Sequence, residues 1–242
     1  MSKLNIGLIG YGKMGKTIEK LAVQRNHEII LRISSSNALE LSGPNISALD
    51  VAIEFSRPES AIDNLTILAE NKVPTICGTT GWLDSYDLIK EKFEINDTPF
   101  LYASNFSIGV NILFMINKKL SILMNRFPDY EVDVKESHHI EKKDAPSGTA
   151  ITIAEQIIDN LDRKSDWKNN QDINPEVLSI HSIREVDVKG YHEINYASQI
   201  DKISLSHEAY SREGFAMGAL TSAEWIVGKK GIFGFHDVMK DL

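Results

Sequence analysis

A single cysteine, Cys77, stands among 242 residues, so no intramolecular disulfide can form and a multi-cysteine zinc site is excluded. Long apolar runs are also missing. The longest candidate, Ile108 to Met124, is interrupted by Lys118 and Lys119, so no membrane-spanning segment is expected. Positive charge is in deficit: 26 Lys and Arg against 34 Asp and Glu give a formal net charge of −8. That balance argues against a general nucleic-acid binder, although a local basic pocket remains open. No G-x-S-x-G or H-E-x-x-H occurs, and no cysteine follows His139-Ile-Glu141 to complete a zinc-deaminase pattern. No metal is therefore expected. The apolar patch Leu4 to Ile9 runs into a glycine turn rather than a small-residue cleavage site, and a cytoplasmic protein is expected.

What is present is an alternation of strand and helix patterns. Leu4–Ile9, His27–Ile33, Val51–Phe55, Pro74–Cys77 and Pro99–Ala103 read as short apolar strands. Between them, Lys16–Arg25 and a Pro58-started segment carrying Ala61, Ile62, Leu65, Leu68 and Ala69 read as helices. This order predicts α/β architecture, with a doubly wound parallel sheet of Rossmann type at the N-terminus. After about Asn105 the pattern changes. A long helix (Ser107–Met124) precedes an alternating strand (Asp129–Ser137), a helix (Thr149–Leu161) and a polar, disordered-looking stretch (Asp162–Asn174). The strands Val177–Arg184, Gly190–Ala197 and Lys202–His207 follow, then a helix from Gly218 to Val227. The second region is expected to be an α+β domain with an open, mostly antiparallel sheet. The expected division is 1–104 with 219–242, against 105–218, with the last helix returning to the first domain.

Gly10-Tyr-Gly12-Lys-Met-Gly15 is a G-x-G-x-x-G placed between a predicted strand and a predicted helix. Its glycines permit a tight turn, close approach of backbone to a pyrophosphate, and helix–strand packing. A strict NAD site would set an acidic residue at the end of the second strand, where this chain has Arg32-Ile-Ser34-Ser35-Ser36. Serine hydroxyls beside an arginine accept a 2′-phosphate that a carboxylate would repel, so NADPH, or NADPH and NADH both, is expected. A second glycine turn, Gly78-Thr79-Thr80-Gly81, and the segment Phe55-Ser-Arg57-Pro58 end neighbouring strands and would face the same crevice; either also reads as a plain connection.

The densest chemistry lies in Glu136-Ser-His138-His139-Ile-Glu-Lys142-Lys143-Asp-Ala-Pro146-Ser147-Gly148-Thr149. Imidazoles move protons near neutral pH, ammonium groups fix carboxylates, and a helix start offers free N–H groups to an anion. Adjacent histidines in a strand alternate sides, so at most one of the pair need face a cleft. The combination suits a small, doubly charged acid that must be held and protonated.

This run, together with Gly10–Gly15, Phe55-Ser-Arg-Pro-Glu59, Gly78–Gly81, Ala103-Ser-Asn-Phe-Ser-Ile-Gly109, Ile180–Arg184, Gly190–Glu193 and His207–Ala219, resembles the 4-hydroxy-tetrahydrodipicolinate reductase (dihydrodipicolinate reductase) family over nearly the whole chain. The resemblance implies hydride transfer from NAD(P)H to the ring of a cyclic imine dicarboxylate in lysine and diaminopimelate synthesis. It also implies a homotetramer built through the second domain. His138 would be the acid that protonates the ring, assisted by Lys142, while His139, Ser147, Gly148 and Thr149 would bind substrate. Gly10, Gly12, Lys13, Met14, Gly15, Ser34, Phe55, Arg57, Gly78, Thr79, Thr80, Ser104 and Phe106 would contact the cofactor. A hinge is expected near Ala103–Asn105. Two other classes stay open: a different Rossmann-type reductase, such as a semialdehyde dehydrogenase using Cys77 as nucleophile, and a non-catalytic nucleotide sensor. If the serine run accepts a 2′-phosphate, Ser34→Glu shifts the NADPH-to-NADH ratio of kcat/KM toward NADH; an unmoved ratio ends that argument.

Overall fold

Near-continuous apolar strands cannot leave either face in water, so they require helices on both sides of their sheet. The computed structural model describes residues 2–42, 44–170 and 174–241. From the N-terminus run β1 (Asn5–Ile9), α1 (Lys13–Gln24), β2 (Glu28–Ile33), a single-turn α2 (Pro44–Ser47), β3 (Val51–Glu54), α3 (Pro58–Glu70), β4 (Thr75–Cys77), α4 (Tyr86–Ile95) and β5 (Phe100–Tyr102). Then come α5 (Ile108–Met124), β6 (Glu131–His139), α6 (Gly148–Ile158), β7 (Asp166–Asn169), β8 (Val177–Glu185), β9 (Tyr191–Ala197) and β10 (Lys202–Glu208). α7 (Glu213–Ile226), β11 (Ile232–Gly234) and α8 (Phe235–Asp241) complete the order. The chain divides into two units, Met1–Ile108 with Arg212–Leu242, and Gly109–Ser211.

In the first unit six strands form one sheet in the order β11-β5-β4-β3-β1-β2, every neighbouring pair parallel. The strand order reverses between β1 and β3, which makes their carboxyl ends the switch-point crevice. One face packs on α1 and α7 through Ile18, Leu21, Ala219, Leu220 and Ala223, all buried. The other packs on α3 and α4 through Leu65, Leu68, Ile89 and Phe93. The second unit has an open mixed sheet, β10-β9-β6-β8-β7. β10, β9 and β6 pair antiparallel, whereas β6, β8 and β7 pair parallel, with α6 in the crossover after β6. Val132, Val134, Leu178, Ile180, Ile194 and Tyr196 face α5 and α6 and meet Leu113, Ile153 and Ile157 in a separate core.

Several expectations shift. The unit boundaries fall at 108/109 and 211/212 rather than 104/105 and 218/219. The helix expected from Gly218 begins at Glu213, and a continuous helix packs as one body, so the division precedes it. α4 buries only Ile89 and Phe93, and two apolar positions make a weak periodic signal in the sequence. Within the polar stretch Asp162–Asn174, residues 171–173 lie outside the described residues. Asp166–Asn169 in that stretch is an edge strand whose Trp167 packs on the second core. Edge strands tolerate polar residues, which hid it.

Gly218 sets the tightest contact of α7: a Cβ there would lie 1.8 Å from the backbone oxygen of Phe106. Gly218→Ala is expected to lower the unfolding free energy by roughly 1–3 kcal/mol, as overpacking against unyielding backbone does. Urea titration checks this, and wild-type stability would contradict the contact.

Candidate active site

The glycine turn connects β1 to α1, and its glycines answer different constraints. Gly10 has φ +99°, and a Cβ on it would sit 2.0 Å from the Phe55 oxygen at the end of β3. A Cβ on Gly15 would sit 2.6 Å from the Gly10 oxygen, so α1 can approach β1 only with glycine there. Gly12 differs, because a Cβ on it meets nothing within 4 Å. The protein itself does not demand that glycine, which fits a position kept bare for a ligand's approach. Gly12 is the N-cap of α1 with no side-chain cap, and no acidic residue occupies the first turn. Those amide groups and Lys13 leave the crevice favourable to an anion. Met14 packs partly on the first core.

A cavity of about 610 Å³ opens at this crevice, lined by Gly10, Gly12, Ser34, Phe55 and Arg57 among others. Arg57 precedes α3 and is exposed. Ser34 lies at the pocket edge, its backbone N–H donating to Asn37 Oδ1 at 2.7 Å and its hydroxyl 2.8 Å from that of Ser36. Arg32 does not reach toward the serines. Its guanidinium donates to Glu19 on α1, with the Nε bond at 3.0 Å, and Tyr11 donates to the same carboxylate. The Arg32 hydrogen bond, joined by that of Tyr11 and opposed by partial burial, holds the Glu19 carboxyl below its ordinary range. This acidic partner comes from a helix rather than the strand end, where no sequence motif marks it.

The second glycine turn lies one strand further. A Cβ on Gly78 would collide with the Phe55 ring at 2.2 Å, so the glycine lets Phe55 lie flat over β4. The buried Thr79 accepts from the Ser56 N–H at 2.8 Å, tying the two strand ends together, and Thr80 is exposed. Ser104 is exposed, whereas Phe106 is only 2% exposed, its ring between Phe55 and Phe235 in the core. Any cofactor contact of Phe106 therefore runs through backbone. Cys77 is fully buried, and burial followed by the Glu54 charge pushes its thiol well up. It offers no thiolate, which removes the Cys77 nucleophile reading.

In the second unit, the period-two alternation of β6 puts Val132, Val134, Glu136 and His138 on one face. The apolar end of that face fills the core and the polar end forms a site. Cross-strand pairing sets Ser182 and His192 beside Glu136, and Arg184 beside His138. The Glu136 side chain is 0% exposed; it contacts His138 Nδ1 through one oxygen and accepts from Arg184 at 3.0 Å through the other. Burial alone would raise this carboxyl, but His138, Ser182 and Arg184 outweigh it and hold it at about 2. Arg184 also donates to the carbonyls of Asp144 (2.5 Å) and Lys142 (3.4 Å), fastening the turn. Lys142 donates to Asp144 at 2.8 Å.

His192 lies with its ring centroid 5.1 Å from that of His138, and its Nε2 is 3.1 Å from Ser147 Oγ. Burial, then the charge of His138, depresses His192 to about 3, so it is neutral at physiological pH. Ser147 caps α6 by accepting from the Ala150 N–H at 3.2 Å. A Cβ on Gly148 meets nothing within 4 Å, and Thr149 follows in the first turn. Glu136, His138 and His192 bring ligand atoms within 4.8 Å of one another, but both Glu136 oxygens are taken by Arg184 and His138. The group is a neutralised ion-pair network rather than an open chelate. His139, the last residue of β6, is partly exposed.

A parallel sheet with a bare glycine turn at its switch point, joined to a second unit carrying a buried acid–base network, defines an oxidoreductase of the dinucleotide-binding class. Residues 4–106 match the family described as dihydrodipicolinate reductase, N-terminus, and residues 109–239 match its C-terminus counterpart. The chain belongs to the dihydrodipicolinate reductase family. A 4-hydroxy-tetrahydrodipicolinate reductase of Christiangramia forsetii is 44% identical over 239 residues, spanning 99% of each chain. One from Methanoregula boonei is 35% identical over 94% of each chain. The dipicolinate-bound dihydrodipicolinate reductase of Paenisporosarcina sp. TG-14 shares the fold with a TM-score of 0.76, at 22% identity over 98% of this chain and 99% of that one.

The depressed groups predict acid lability. His192 binds its proton at about 3 when folded against an ordinary 6.5, so the unfolded chain takes up more protons as pH falls through that window. Stability is then present above about pH 6.5 and is lost toward pH 3, at up to about 1.4 kcal/mol per pH unit. Glu136, held at about 2 against 4.5, adds a second loss below pH 4.5. Urea titrations from pH 8 to 4.5 should show a shallower decline in His192→Gln than in wild type; equal slopes would contradict the His192 assignment.

Proposed function

We propose that the protein reduces 4-hydroxy-tetrahydrodipicolinate (dihydrodipicolinate) to tetrahydrodipicolinate with NADPH or NADH, a step of lysine and diaminopimelate biosynthesis. The observation that carries the reading is the placement of His138 at the polar end of a core-facing strand, against the buried Glu136 carboxylate and beside His192, whose Nε2 lies 3.1 Å from Ser147 at the start of α6. When bound, the cofactor supplies the hydride. Gly10, Gly12, Lys13, Met14 and Gly15 receive its pyrophosphate, Ser34 and Arg57 its adenosine ribose and 2′-phosphate, and Phe55, Gly78, Thr79, Thr80, Ser104 and Phe106 its nicotinamide end. With no carboxylate at the end of β2, both cofactors are accepted and NADPH is favoured; Glu19, by occupying Arg32, limits that preference.

Addition of hydride leaves an electron-rich enamine that must gain a proton on carbon. His138 supplies that proton from its imidazolium, and the Lys142 ammonium stabilises charge as it shifts and contacts one substrate carboxylate. Gly148 and Thr149 hold the other carboxylate by backbone N–H and hydroxyl at the start of α6, with Ser147 and His139 completing the substrate contacts. A small dicarboxylate explains why an acidic chain concentrates lysines at one turn. We infer from the family resemblance that the enzyme works in the cytoplasm as a homotetramer assembled through the second unit. No helix among the described residues is long and apolar enough to cross a membrane.

His138→Ala is expected to lower kcat by about 10²-fold or more with cofactor affinity unchanged, the range of proton-transfer groups. Lys142→Ala should raise substrate KM and lower kcat together. Steady-state kinetics decides: an unchanged kcat for the His138 variant removes that residue from the mechanism.

A further inference from the structure

We propose that Glu136 is the positioning residue of His138: its carboxylate holds the Nδ1–H of the imidazole, so that Nε2 is the atom that carries and delivers the proton. The inference rests on the reading of His138 as the proton donor. Glu136 and His138 are two residues apart on one strand, hence on the same face, and the carboxylate reaches Nδ1 directly. The second oxygen accepts from Arg184 at 3.0 Å, and Ser182 also supports the carboxylate. Arg184 is itself fixed at its other nitrogens by the carbonyls of Lys142 and Asp144. The carboxylate is therefore clamped from β8 and from the turn, and it clamps the ring in its place.

The groups facing His138 from each packed element are Glu136 on β6, Arg184 on β8, His192 on β9 with His207 across from it on β10, and Lys142 and Asp144 from the turn. Of these, only Glu136 presents an anion to a ring nitrogen of His138 among the described residues. Gly190 lies beside the other edge of the ring, where a Cβ would come within 3.4 Å of Nε2, so the glycine leaves room at that nitrogen. In the transfer, the Nε2–H bond breaks and a C–H bond forms on the substrate ring. The imidazolium becomes the neutral Nδ1–H tautomer, Glu136 remains a carboxylate, and solvent returns the proton. A histidine held only by packing could rotate or take the Nε2–H tautomer after transfer, and its recharging would lose direction.

The test compares wild type, Glu136→Gln, Glu136→Asp and His138→Ala by steady-state kinetics across pH. Glu136→Gln is expected to lower kcat about tenfold or more, with substrate KM changed less than about threefold. It should also move the alkaline limb of the kcat profile to lower pH, and Glu136→Asp should recover part of both. A Glu136→Gln enzyme with wild-type kcat and profile, beside a His138→Ala enzyme that has lost turnover, overturns the positioning role alone. A His138→Ala enzyme that keeps turnover overturns the donor assignment and the inference with it. Nitrogen-15 NMR of the histidine rings in unmodified protein, at a pH where imidazoles are neutral, gives an arm that does not depend on a variant folding. The proton is expected on Nδ1, and a proton on Nε2 overturns the proposal.

Discussion

A carboxylate taken wholly out of water must be paired, and breaking such a pair leaves an uncompensated charge whose removal from solvent costs several kcal/mol. Glu136 is in that position, and the second unit is arranged around it. Its place on β6 follows from alternation: the same face that buries Val132 and Val134 continues to Glu136 and His138. Arg184 arrives because β8 runs parallel to β6 in a register that sets it beside His138. His192 arrives from β9, antiparallel, beside Glu136. One slip in either register would turn these partners to the opposite face and leave the charge buried alone. The demand of one buried anion and the register of three strands therefore enforce each other, and the geometry of His138 is a by-product of both.

The first unit depends on a different constraint, the closeness of backbone to backbone where strands end. Gly10 and Gly15 are required by atoms of the protein, and Gly78 by the Phe55 ring. Gly12 is required by nothing in the protein, and that asymmetry within one motif separates the positions that build the crevice from the one that leaves it open. Phe106 and Gly218 repeat the theme where α7 returns to the sheet, so the C-terminal segment seals the first unit's core. A stable sheet with a bare crest suits a molecule that binds a long anionic cofactor without rearranging its core.

Much of this was legible in the chain. Period-two and period-3.6 patterns located five of the six strands of the parallel sheet and the helices α1, α3 and α5, and the glycine spacing located the crest; the three-residue β11 is too short to carry a pattern. The His138 run stood out because its titratable residue types are dense and local. What stayed hidden depends on register or on long-range approach. Glu136 and Arg184 are separated by 48 residues, and only strand pairing brings them within 3.0 Å. Glu19 holds Arg32 from across α1, a contact that no strand-end motif describes. Phe106 stands in a motif that suggested surface contact, yet its ring is core. β7 escaped because an edge strand needs few apolar residues, and the boundary at 211/212 escaped because a glycine inside α7 read as a helix start.

The most direct test of the central claim is oxidation of NADPH and, separately, NADH by purified protein, with substrate generated in place by enzymatic condensation of pyruvate and aspartate semialdehyde. Rapid, substrate-dependent loss of the reduced cofactor at 340 nm (the usual absorbance of reduced nicotinamide) is the result expected. Folded, nucleotide-binding protein that turns over neither cofactor with this substrate would contradict the account.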